Sequence, residues 1–69
     1  MTPMTVTVNG APREIDDHAT VLDLVRDLGL SDATIVVQRN DDIVEREQFA
    51  ATPLAPNDVL ELVRLVGGG

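Results

Sequence analysis

Near the start, "MTVTVNG" (residues 4–10) sets Val6 and Val8 in alternation with Thr5 and Thr7, the period-two pattern of a strand with one face buried. Asn9-Gly10 follows, a dipeptide suited to a two-residue hairpin turn because both residues tolerate positive φ. The chain is expected to return as a second strand through Arg13 to Ile15. The period then changes. In "DDHATVLDLVRDLGL", Val21, Leu24, Val25 and Leu28 fall at i, i+3, i+4 and i+7, one face of a helix. Thr20 is placed as its N-cap and Asp23 sits in the first turn, where the helix dipole favours negative charge. Gly29 is placed for the left-handed C′ position, with Leu30 then able to meet Val25 in a Schellman arrangement.

Beyond the helix, "TIVVQRN" is rich in β-branched residues and predicts a third strand ending in the turn "NDD". "IVER" predicts a short fourth. "EQFAATPLAPND" is expected to be irregular, with Pro53 and Pro56 preventing a long element and Asn57-Asp58 suited to a turn. "VLELVRLV" predicts a last strand. The element order β-β-α-β-β-β points to an α+β roll, a mixed sheet of about five strands packed on one main helix.

Alternation along the last strand sends Leu60, Leu62, Arg64 and Val66 to one face and Val59, Glu61, Val63 and Leu65 to the other. A sheet covered on one side should be polar on its outer face, yet Val63 and Leu65 are apolar. Either a loop covers them or they form a patch that meets a partner.

Composition narrows the chemistry. The chain has 69 residues, 43% hydrophobic, with Phe49 its only aromatic and no cysteine. That is one domain near the lower size limit for a self-sufficient core, with no disulfide and no Cys/His set for a structural metal. Net charge is −7, which argues against nucleic acid and anionic membrane as partners. No basic segment followed by an apolar core opens the chain and no apolar run approaches a membrane span, so a cytoplasmic protein is expected. Met4 is an alternative start to Met1. All 5 basic residues are arginine, so no lysine side chain is present.

The body offers little for catalysis. His18 is the single histidine and follows Asp16-Asp17, with no Ser, Cys or second His near it in sequence; a solvated loop residue is expected. Asp16-Asp17 and Asp41-Asp42 lack the spacing of a calcium loop, and no metal site is expected. The remaining candidate is the terminal Gly67-Gly68-Gly69, which by itself is either a frayed end or a reactive tail. Residues 1–66 are expected to form the domain and 67–69 a flexible tail. Extended, Val66 to Gly69 would reach about 13 Å, at roughly 3.3 Å per residue. Glycines without side chains can enter a narrow cleft. The α-carboxyl, titrating around 3.5, is ionised at neutral pH, and its oxygen can attack the α-phosphorus of ATP to give an acyl-adenylate.

Joined to that element order, the tail gives a chain that resembles the β-grasp, ubiquitin-like sulfur carriers, most closely the ThiS family of thiamine biosynthesis. The resemblance spans nearly the whole chain. It is carried by "MTVTVNG", by "TVLDLVRDLGL", by "VVQRNDDIVEREQF" and by "NDVLELVRLVGGG" with its diglycine end. Glu45, where the family often has Pro, and Phe49, where Trp is usual, depart from it. The resemblance implies that Gly69 is adenylated by a ubiquitin-activating-type adenylyltransferase (ThiF-like) using ATP and Mg. Sulfur from a donor such as a cysteine desulfurase then replaces AMP to leave a thiocarboxylate, which thiazole synthase (ThiG-like) consumes. The chain itself would bind no cofactor, act as a co-substrate rather than an enzyme, and be a monomer when free. Gly67, Gly68 and Gly69 would enter the partner's active site, with Val63, Leu65, Val66 and Phe49 as the docking patch. Other readings are a carrier for another pathway, as in the small subunit of molybdopterin synthase or a thio-amino-acid carrier, a ubiquitin-like protein modifier, and a passive binding module.

Overall fold

The structure, a computed structural model, describes residues 2–65. The expected tail 67–69 and Val66 therefore lie outside the described residues. The elements are β1 (Pro3–Val8), β2 (Ala11–Asp16), α1 (Val21–Asp27), β3 (Ile35–Arg39), β4 (Asp42–Val44) and β5 (Val59–Arg64), with 3-10 turns at Asp32–Thr34 and Arg46–Ala51. The five strands form one sheet in the order β2-β1-β5-β3-β4. The last strand thus sits in the centre, parallel to β1 and antiparallel to β3. The strands follow the sequence expectation, but "EQFAAT" does not: Arg46–Ala51 is an ordered 3-10 segment packed on α1.

Local chemistry sets the element ends. Asn9 and Gly10 have φ of 50° and 84°, and the β1–β2 register closes on Val8 opposite Ala11, giving the expected two-residue turn. A second turn of the same kind joins β3 to β4, with Asn40 at φ 50° and Asp41 at 73° between paired Arg39 and Asp42. Helix α1 is short at 7 residues and cannot persist on propensity alone, so its ends are closed. Thr20 Oγ1 accepts from the Asp23 N–H while Asp23 Oδ2 accepts from the Thr20 N–H at 2.9 Å, a full capping box. At the other end Gly29 has φ 73°, its N–H donates to the Arg26 carbonyl, and the Leu30 N–H donates to the Val25 carbonyl at 3.1 Å. Those two bonds make the Schellman motif.

One face of the helix and the inner face of the sheet share a single core: Met4, Val6 and Ile15 from the first hairpin, Val21, Leu24 and Val25 from α1, Ile35 and Val37 from β3, and Leu60 and Leu62 from β5. Phe49 and Leu54 close it from the long loop. Each such side chain contributes about 1.5–3 kcal/mol on burial. The loop is fastened to the helix start by the Val21 N–H to the Thr52 carbonyl (3.0 Å) and the Leu54 N–H to the Ala19 carbonyl (2.9 Å). Among the described residues no helix is long and apolar enough to cross a membrane.

Candidate functional site

The expected docking residues part company in the structure. Val63 and Leu65 are 57% and 54% exposed and point away from the core, so no loop among the described residues covers them. Phe49 is corrected: at 1% exposure it is a core residue, held there because its 3-10 segment packs on α1. A ring so enclosed cannot meet a partner without unfolding the loop. Val66 lies outside the described residues.

Pairing identifies what stands beside Val63 and Leu65. Val36 on β3 is directly opposite Val63, and Ile43 on β4 is directly opposite Gln38, which itself faces Glu61. Paired residues project to the same side of a sheet. Ile43 is 66% exposed, and it lines one shallow groove with Val36, Leu65 and Arg46. The outer face over β5, β3 and β4 therefore carries an apolar patch of Val63, Leu65, Ile43 and half-buried Val36. The patch is bordered by Glu61, Glu45 and Arg46. Sequence reasoning missed Ile43. The signal available was its place in "DIV", where one of two consecutive apolar residues must face outward.

Asp58 supplies the anchor at the start of β5. It is 5% exposed and the only charged residue among the buried ones described. Its Oδ2 accepts from Arg39 Nε at 2.8 Å and from the Ala55 N–H at 2.8 Å, and its Oδ1 accepts from Asn40 Nδ2 at 2.9 Å. Burial by itself would raise the Asp58 carboxyl; the hydrogen bonds from Arg39, Asn40 and Ala55 outweigh it and hold the group below its ordinary value. Asn40 also accepts the Val59 N–H on its side-chain oxygen at 2.9 Å. The β3–β4 turn is thereby locked to the entry of β5, which fixes Ile43 relative to Val63.

The other polar groups are bland. His18 has a side chain 84% exposed and 3.6 Å from Asp17. The His18 backbone N–H donates to Asp16 Oδ1 and lowers that carboxyl's pKa, an ordinary turn bond. Among the described residues no group of three or more His, Cys, Asp or Glu could hold a metal.

A five-stranded mixed sheet with a central last strand, one helix packed across it and an apolar outer patch defines a ubiquitin-like β-grasp domain. Solved structures agree. The thiamine biosynthesis protein ThiS from Geobacter metallireducens superposes with a TM-score of 0.80 at 35% identity, covering 96% of this chain and 100% of that one. Its solution structure gives 0.77 at the same identity, covering 96% and 88%. The ThiS family model matches residues 6–69. Sulfur carrier protein ThiS of Bacillus subtilis is 36% identical over 53 residues, covering 77% of this chain and 80% of its own length. The chain belongs to the ThiS family. A thiazole synthase of Paramagnetospirillum magneticum is also similar, 33% identical over 66 residues. So is one of Magnetococcus marinus, 32% identical over 66. The chain spans 96% of its own length but only 20% of each of these thiazole synthases.

Proposed function

We propose that this chain carries sulfur on Gly69 for the formation of the thiazole ring of thiamine. The observation that bears most weight is its membership of the ThiS family over residues 6–69, a match that runs to the final glycine. The similarity to two thiazole synthases supports the choice of recipient. An exposed apolar patch beside the end of β5 supports docking to successive enzymes.

The chemistry follows from the terminal carboxylate. Its oxygen attacks the α-phosphorus of ATP, pyrophosphate leaves, and an acyl-adenylate forms. The terminal sulfur of a persulfide, generated by a donor such as a cysteine desulfurase, attacks the acyl carbon and AMP leaves. A thiol then cleaves the resulting acyl disulfide, and the thiocarboxylate remains. ATP, Mg and the acid-base groups belong to the ThiF-like and ThiG-like partners, so the chain is a co-substrate. Having neither lysine nor cysteine, it brings no side-chain amine or thiol of its own to compete for the activated acyl carbon. Val63, Leu65 and Ile43 form the docking patch; modest apolar area suits a shuttle that must release each partner in turn.

Intact mass tests this reading. Incubated with ATP, a sulfur source and an extract of its own host, the protein is expected to gain the mass of one oxygen-to-sulfur exchange. Deleting Gly69 should abolish the gain. No gain in an extract active on another carrier would overturn the proposal.

A further inference from the structure

The two sides of β5 are not covered to the same length. Odd-numbered residues turn their backbone groups toward β3, as the Asn40 N–H to Val59 carbonyl and Leu65 N–H to Thr34 carbonyl bonds show, both 2.8 Å. That ladder runs the whole strand. Even-numbered residues turn toward β1. There the Asn9 N–H donates to the Leu60 carbonyl at 2.9 Å, and the Leu62 N–H is met by the side-chain oxygen of Asn9 at 2.9 Å, because the main chain of β1 has already turned away at Asn9-Gly10. Past that point the Leu62 carbonyl and the Arg64 N–H have no protein partner among the described residues. Unpaired strand edges accept added strands.

We infer that this open edge, Leu62 to Arg64, receives an extended segment of a thiazole synthase by strand addition, so that main-chain bonds aim the terminus. The inference rests on the proposed function. Two observations select the occupant. The edge leads directly into residues 66–69, the stretch of sequence that ends in the carboxylate. Two thiazole synthases also carry a similar unit within their own chains, so this kind of domain and this kind of enzyme operate together. The added strand would lie in the plane of the sheet while Val63 and Leu65 meet the same enzyme from the outer face.

Amide hydrogen exchange tests the inference, with the protein free and then bound to its host's thiazole synthase. The Arg64 amide should exchange rapidly when free and at least tenfold more slowly in the complex, whereas the Leu65 amide, already bonded to Thr34, should change far less. If no complex forms, the functional reading fails and takes this one with it. A complex in which Arg64 stays unprotected overturns the strand addition alone, and so does protection that appears only with the adenylating enzyme. A second test compares Arg64→Pro with Arg64→Ala. Proline deletes an N–H that the β3 ladder does not use, and it should weaken binding at least tenfold relative to alanine. Equal binding by two folded variants would overturn the inference; if Arg64→Pro fails to fold, the exchange measurement decides.

Discussion

Leu62 and Val63 are neighbours in β5, both aliphatic, and the sheet sends them to opposite surroundings. Leu62 is 8% exposed under the helix and Val63 is 57% exposed on the outer face. The same contrast separates Leu60 from Leu65. Outside the sheet a further contrast holds: over β1 and β2 the outward residues are Thr5, Thr7, Pro12 and Glu14, while over β5, β3 and β4 they include Val63, Val36 and Ile43. Apolar character alone does not say what a residue does. A side chain that loses water on folding holds the fold together; one that keeps water until another molecule arrives stores the same driving force for association.

The contrast can be broken most severely from the inner side. Leu60→Ala should cost about 2–5 kcal/mol, and Phe49→Ala about 3–5 kcal/mol; urea unfolding would read both. Survival of Phe49→Ala at near full stability would restore that ring to the docking patch. Next is Asp58→Asn, which leaves Arg39 facing a neutral group and should cost roughly 2–3 kcal/mol, less than a fully enclosed pair because the arginine is partly exposed. Its pH dependence sharpens the point. Since the folded Asp58 has a lowered pKa, its contribution is complete above the unfolded value of about 3.9 and is lost as pH falls through the folded value. Acid unfolding of Asp58→Asn should therefore be less steep than that of the parent below about pH 4.

On the outer face the order of effects reverses. Leu65→Asp should shift stability by about 0.5 kcal/mol or less yet weaken partner binding by at least about tenfold, or ~1.4 kcal/mol, measurable by calorimetry. Unchanged binding would remove Leu65 from the patch. Ile43→Asp should behave alike. The control is Glu14→Gln, exposed on the polar half, expected to alter neither quantity beyond about 0.5 kcal/mol.

Most of the architecture was legible because it is written in short-range patterns. Asn9-Gly10 names its turn, and Val21, Leu24, Val25 and Leu28 name a helix whose caps, Thr20 and Gly29, are both local. The outward direction of Val63 and Leu65 follows from strand parity. What escaped was non-local. The Arg46–Ala51 segment is too short to show a period, and Phe49 is buried by contact with a helix more than twenty positions earlier in sequence. Asp58 was legible as a turn residue, but its role depends on Arg39 and Asn40, which only the sheet brings beside it. Ile43 belongs to a three-residue strand whose facing is settled by its pairing with β3.

The central place of β5 has a mechanical consequence. With hydrogen-bonded neighbours on both sides, a pull applied at Leu65 along the strand loads the ladder to β3 over its full length, and the ladder to β1 at the same time. Both are strained in shear, so their bonds share the tension and must give way together. A strand at the sheet margin, peeled sideways, would unzip one bond at a time. The strand that carries the exposed apolar residues Val63 and Leu65 toward residues 66–69 is thus also one held from both sides against unravelling.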